Sequence, residues 1–232
     1  MNKNQPHDTL RKELKYLLGR GEYAALRQRC RAVMKPDPHA GPDGTYRIAS
    51  LYFDDLGDTA LLQNYSGLSR REKYRIRLYN GDLSTLHLEK KLKYGGLGVK
   101  YACPITADQL QKLLAGDYGW MADSAHPLMQ ELWLRMKNDL LRPKTIVSYT
   151  REPYIYGPGN VRVTFDYDLR SSVRATDLLG GTAPLVPAAP GSVLMEVKYD
   201  AFLPDIIQQI LQEGTPRARA FSKYAICRQY DI

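Results

Sequence analysis

The chain has 232 residues, 44% hydrophobic and 25% charged, enough apolar material for a packed core and too much for a disordered chain. No run approaches the ~18 apolar residues of a membrane helix, and the opening "MNKNQPHDTLRKELKY" lacks an apolar stretch of signal-peptide length. A cytoplasmic protein without a transmembrane segment is expected, with attachment through a membrane-associated partner left open.

The residues 1–232 are expected to form a single domain. "ELKYLL" (13–18) reads as a strand ending at Gly19, and "EYAALRQRCRAVM" (22–34) sets Leu26, Cys30, Val33 and Met34 on one helical face. A turn-rich loop follows over 35–44, then a strand over 46–55. "DTALLQNYSGLS" is a short helix or loop. "YRIRLY" (74–79) and "LHLEKKLKYG" read as strands, with Asn80-Gly81 marking a hairpin. A further strand over 99–105 leads to Thr106, an N-cap with Gln109 at the capping-box position and Gly116 as a stop.

The longest helical pattern spans 126–141, with Leu128, Leu132, Met136 and Leu140 on one face beside Trp133. Strands are expected over 145–156, where Pro153 predicts an interruption, over 161–170 and over 192–200. "GGTAPLVPAAPG" between the last two reads as an exposed hairpin arm. Helices are expected over 205–214 and in the tail "SKYAICRQYDI". Strands that come in runs rather than as βαβ units predict an antiparallel sheet and an α+β fold. Cys30, Cys103 and Cys227, odd in number and far apart, are expected as buried reduced thiols with no zinc spacing.

The net charge is +8, with a pI near 9.3. The excess is concentrated: between 70 and 100, Arg70, Arg71, Lys73, Arg75, Arg77, Lys90, Lys91, Lys93 and Lys100 outnumber Glu72, Asp82 and Glu89. Such a field favours an anionic partner, although charge excess alone is more often a solvated surface. The pattern inside the strands is more informative. Glu13 with Lys15, Arg75 with Arg77, Glu89 with Lys91, Tyr149 with Arg151, and Glu196 with Lys198 each share one strand face, opposite an apolar face. Arg162, Thr164, Asp166 and Asp168 share another. For one strand this is a wet face with cross-strand ion pairs. Repeated through the chain, it predicts an antiparallel β-barrel with the charged faces inward, forming a tunnel, and four or five amphipathic helices over the apolar outside. Arginine forks and lysine ammoniums there would hold phosphate oxygens, and a few carboxylates would hold Mg2+ or Mn2+.

The sequence also resembles the VTC (vacuolar transporter chaperone) domain, the polyphosphate polymerase module of the triphosphate tunnel metalloenzyme superfamily. The matching pieces are "ELKY", "SLYFD", "KYRIRLY", "LEKKLK", "SYTREPY", "VRVTFD", "LMEVKYD" and "FSKY", in that order. The resemblance implies phosphate binding by Lys15, Arg75, Arg77, Lys91, Lys100, Arg151, Arg162, Lys198 and Lys223. It implies Glu196 as metal ligand, with Glu13 and Glu89 as helpers, and Arg75, Arg77 and Glu196 as the catalytic set. Two positions depart from the pattern. The first acidic residue of Glu-x-Glu-x-Lys is Arg11 here, and a second C-terminal lysine is replaced by Ala220, with Arg217 and Arg219 nearby.

The expected function is metal-dependent phosphoryl transfer on a nucleoside triphosphate such as ATP, or on polyphosphate or triphosphate, with polymerase-type synthesis first. A tunnel triphosphatase or a non-catalytic polyphosphate-binding module are the alternatives. The dispersed histidines, His7, His39, His87 and His126, form no nucleophile–base set. A nucleic-acid-binding surface built on the 17 tyrosines lacks any recognised motif and is not expected.

Overall fold

The computed structural model describes residues 11–95, 97–181, 183–212 and 221–229. In chain order the elements are β1 (Lys12–Leu18), α1 (Arg20–Val33), β2 (Lys35–Pro36), β3 (Tyr46–Asp54), α2 (Thr59–Tyr65), β4 (Arg71–Tyr79) and β5 (Asp82–Tyr94). Then come β6 (Leu97–Pro104), α3 (Ala107–Leu114), α4 (Pro127–Asn138), β7 (Arg142–Tyr156), β8 (Val161–Ser171), β9 (Val186–Pro187), β10 (Val193–Tyr199), α5 (Asp205–Gln212) and α6 (Lys223–Arg228). Local chemistry explains the boundaries. Asn80 (φ 54°) and Gly81 (φ 73°) make the two-residue turn whose left-handed backbone matches strand twist, joining β4 to β5. Thr106 and Gln109 exchange capping bonds of 3.1 and 2.9 Å at the start of α3.

All strand pairs are antiparallel, in the order β1-β10-β8-β7-β3-β4-β5-β6, with β2 beside β7 and β9 beside β8. The two ends of the order, β1 and β6, share no backbone pairing among the described residues. The sheet nevertheless curls far enough that Glu13 on β1 reaches Lys91 and Lys93 on β5, at 3.3 and 3.1 Å. The fold is α+β: a curled antiparallel half-barrel with six α-helices among the described residues.

Strand alternation sorts the side chains by face. On the outside, Ile76, Leu88, Leu110 and Leu132 join β4 and β5 to α3 and α4. Leu18, Leu26, Phe165, Val197 and Ile207 join β1, β8 and β10 to α1 and α5. Each such buried side chain contributes roughly 1.5–3 kcal/mol. A third cluster joins Ile48, Val147, Tyr149 and Leu194 to Leu61 of α2 and to Tyr224 and Cys227 of α6. Buried polar contacts fix α6 there. The Tyr224 hydroxyl donates to Asp54 at 2.6 Å, Arg228 grips Asp58 with two nitrogens at 2.9 and 2.8 Å, and Asp54 accepts the Ala60 amide of α2 at 2.9 Å.

Several expectations need correction. β7 runs straight through Pro153. Pairing with β3 ends at Arg151 and pairing with β2 begins at Tyr154, so the missing N–H falls in the gap between two partners. Asp168 does not share the inward face with Asp166. It is the extra residue of a bulge, with φ 51°, and pairs with Arg170 at 2.9 Å on the surface. Leu140 lies beyond α4 with φ 55° and is exposed. The stretch around 180–191 is no free arm: β9 pairs with β8, Ala188 is buried, and Ala183 and Leu185 pack on the outer core. Residues 213–214 of the expected fifth helix and 230–232 of the tail lie outside the described residues, as do Arg217, Arg219 and Ala220.

Candidate anion-binding site inside the half-barrel

The inward faces enclose a cavity of about 180 Å3. β4 alone contributes Arg71, Lys73, Arg75 and Arg77, four cations at a spacing of two. Their neighbours on β5 are Lys93 opposite Arg71 and Lys91 opposite Lys73. Behind this wall Glu89 accepts from Arg75 Nε at 2.7 Å and Nη2 at 2.6 Å, and lies 3.8 Å from both Arg77 and Lys100. Burial would push the Glu89 carboxyl up, but Arg75, Arg77 and Lys100 outweigh it and hold it far below the usual range. Arg77 is fixed by neutral groups, Ser50 Oγ at 3.0 Å and the Tyr149 hydroxyl at 3.2 Å. Arg75 also donates to the Tyr52 hydroxyl at 3.0 Å.

The opposite wall repeats the device. Asp166 on β8 is 1% exposed and receives a two-pronged Arg151 at 2.6 and 2.7 Å and Lys223 of α6 at 2.6 Å. Burial raises its proton affinity, and these two cations overcome that, so Asp166 stays ionised. Lys223 and Arg151 both sit over the Tyr149 ring, 4.9 and 5.4 Å from its centre.

Between the walls stand Glu13 of β1 and Glu196 of β10, offset by two residues across the paired strands. Lys15 bridges them at 3.3 and 3.4 Å. Burial and the neighbouring Glu196 charge push Glu13 up, yet Lys15 and Lys91 bring it below its ordinary value. Burial also raises Glu196, and Lys198, Lys15 and Lys91 hold it well below. Both are therefore carboxylates surrounded by ammoniums.

Of the sequence-predicted phosphate binders, Lys15, Arg75, Arg77, Lys91, Arg151, Lys198 and Lys223 line the cavity. Lys100 and Arg162 do not. Lys100 stands behind Glu89. Arg162 is drawn to the strand end by Asp37, at 2.7 Å, and by the Tyr46 hydroxyl, at 2.9 Å. Of the three expected metal ligands, only Glu196 lines the cavity; Glu13 stands beside it, joined through Lys15, and Glu89 is committed to Arg75. Sequence reasoning missed Arg71, Lys73 and Lys93 as lining residues, although each continues a spacing of two from Arg75 or Lys91. It also missed Tyr52 and Tyr149, whose hydroxyls orient the arginines; tyrosine on a strand looks like ordinary core. Lys90, next to Lys91, faces outward and pairs with Glu72 at 3.3 Å and with Glu131 of α4.

Among the described residues no group of three or more His, Cys, Asp or Glu could hold a metal ion. The donor set that remains is the Glu13–Glu196 pair. That suits a hard cation such as Mg2+, which takes one or two carboxylates and completes its shell with phosphate oxygens and water. No helix of the described residues is long and apolar enough to cross a membrane.

The combination defines a class: a curled antiparallel sheet with a cation-lined interior and a central acidic pair. Comparison with known proteins agrees. The VTC domain family matches residues 10–230, and the chain belongs to that family. No curated protein matches it in sequence. Among solved structures, it is similar to a Hippeastrum protein assigned as an adenylyl cyclase and described as having a dominant triphosphatase activity. The TM-score is 0.56 at 14% identity, over 97% of each chain. It is also similar to a Bacillus halodurans protein assigned as an adenylate cyclase, with a TM-score of 0.50 at 14% identity over 88% of this chain and 90% of the other. At these identities the likeness shows the shared fold.

Proposed function

We propose that the chain is a single-domain enzyme of phosphoryl transfer that binds a nucleoside triphosphate or polyphosphate inside the half-barrel and extends a phosphate chain from ATP. One observation carries the reading: lysines and arginines from β1, β4, β5, β7, β10 and α6 converge on one cavity that, among the described residues, Glu196 alone lines with a carboxylate. A surplus of buried cations is costly unless an anion arrives, and a phosphate chain supplies several charges in a row.

Arg75, Arg77 and Arg151 are pre-oriented by Glu89, Tyr149 and Asp166, so they hold phosphate oxygens without reordering and offset charge that builds at the transferred phosphorus. Lys15, Lys91, Lys198 and Lys223 spread further positive charge along the phosphates. Glu13 and Glu196 would hold a divalent ion, Mn2+ or Mg2+, which supplies Lewis-acid charge at the phosphate oxygens. The acceptor is the ionised end of a phosphate chain, so no protein base is required. Lys100 and Arg162 act from outside the cavity, Lys100 on Glu89 and Arg162 at the strand end.

Incubation with ATP and Mn2+ or Mg2+, followed by analysis of products, tests this. Phosphate polymer is the expected product. Free phosphate alone would replace it with the triphosphatase reading. Tight triphosphate binding without either product would leave a binding module.

A further inference from the structure

Lys73 differs from every other lysine of the cavity wall. Among the described residues, Lys15, Lys91, Lys93, Lys198 and Lys223 each have a carboxylate within 4 Å. The Lys73 ammonium has none. It donates instead to Ser222 Oγ at 2.8 Å and Asn64 Oδ1 at 3.3 Å, and lies 5.4 Å from the centre of the Tyr224 ring. Asp54, the acid that favours its charge, already accepts from Tyr224 and from the Ala60 and Leu61 amides.

Both neutral partners line the cavity and keep donors to spare. Ser222 Oγ accepts from Lys73 and from the Ala225 amide at 3.3 Å, so its own proton is left for a third group. Asn64 uses its carbonyl on Lys73, which leaves its NH2. Three donors from β4, α2 and the start of α6 thus meet where, among the described residues, no carboxylate pairs with the ammonium.

We propose that Lys73, Asn64 and Ser222 form a phosphate subsite at the α2–α6 side of the cavity, filled by the bound phosphate chain itself. This rests on the reading of the cavity as a polyphosphate site. It adds that Lys73 is a ligand-binding residue whose ion-pair partner arrives with the ligand.

The surroundings explain how the subsite is kept in the absence of ligand. Lys73 is faced by Arg71 and Arg75 on its own strand and by Lys91 and Lys93 on β5. Lys15 faces it from β1, with Glu13 and Glu196 beyond. Tyr52 and Asp54 face it from β3, and Lys223 and Tyr224 from α6, with Arg228 behind. On α2 the Tyr65 hydroxyl turns away to the Ala225 carbonyl at 3.4 Å. Burial first, then Lys15 and Arg71, push the Lys73 amine down to about 7. An arriving phosphate restores its charge, so a proton is taken up with the ligand above neutrality.

Titration calorimetry with tripolyphosphate at pH 8, in two buffers of different ionisation heat, tests the subsite. Lys73→Met is expected to show about one proton less uptake than wild type and about a tenfold loss of affinity, the size of one charge-assisted hydrogen bond. Lys73→Arg, which cannot lose its proton, is expected to bind near wild-type strength with the same lost uptake. Wild-type uptake in Lys73→Arg, or unchanged affinity in Lys73→Met, overturns the subsite while the cavity reading stands. If Lys73→Met does not fold, the Lys73→Arg uptake decides. No binding of tripolyphosphate by the wild type would instead overturn the cavity reading, and the subsite with it.

Discussion

β4 and β5 carry two charge networks, one on each face, and the two are built to opposite ends. On the outside Glu72, Lys90, Glu131 and Arg135 join the strands to α4, and acids balance bases. On the inside Glu89 is faced by Arg75, Arg77 and Lys100, and Arg71, Lys73 and Lys91 extend the surplus. The same strands thus show that ion pairs alone do not mark a site. The outer network is closed and holds a helix. The inner one is left positively charged, with its guanidiniums aimed and its carboxylates already spoken for.

The sharpest way to break this comparison is to unbalance the inner network. Arg151→Met leaves Asp166, 1% exposed, with Lys223 as its remaining cation. Loss of one partner of a buried pair costs about 3–5 kcal/mol. Urea denaturation is expected to show that loss, and Asp166→Asn in the same chain to recover part of it. An unchanged midpoint would mean that the pair is not buried in solution.

Arg77→Met probes ligand binding with less structural damage, since the arginine is held by Ser50 and Tyr149 and its nearest carboxylate is 3.8 Å away. Triphosphate affinity is expected to fall about ten- to a hundredfold, as for one or two charge-assisted bonds. Affinity near wild type would remove Arg77 from the site.

Acid separates the networks by another route. Glu89, Asp166 and Glu196 have folded-state values held below the unfolded ones. Their stabilisation is complete above the unfolded values of about 4 and is lost as pH falls from there toward the lower folded values. Denaturation midpoints are expected to drop between pH 5 and 3, estimated as roughly that window from model carboxylates. Glu89→Gln is expected to flatten the drop, and an equal slope in that variant would remove Glu89 from the account. Smallest of all, Lys90→Met on the outer face is expected to cost about 1 kcal/mol, as for a partly exposed pair. Its triphosphate affinity should match wild type, and a large loss would show that the two faces are coupled.

Much of the site was legible in advance because a strand has a period of two. Arg75 and Arg77, Glu89 and Lys91, Glu196 and Lys198 each announced a charged face, whatever the strand paired with. Lys73, Arg71 and Lys93 obeyed the same period but stood among other charged residues, so the run hid their direction. Asp168 shows where the rule fails: a bulge shifts the parity of β8, and nothing local in "FDYDLR" signals it.

The sequence by itself determined the strands, the capped and amphipathic helices, the tight Asn80-Gly81 turn, and the sorting of charged from apolar faces. These depend on neighbours a few residues away. Only the tertiary structure decided which charges are consumed and which remain. Glu89 and Asp166 are bound by cations of other strands and of α6, Arg162 is taken by Asp37, Glu13 meets Glu196 across paired strands, and Lys73 is left with neutral partners. The reason is physical: a charge in a curled sheet is compensated by whatever the curl brings within about 4 Å, the range over which buried charges act most strongly on each other.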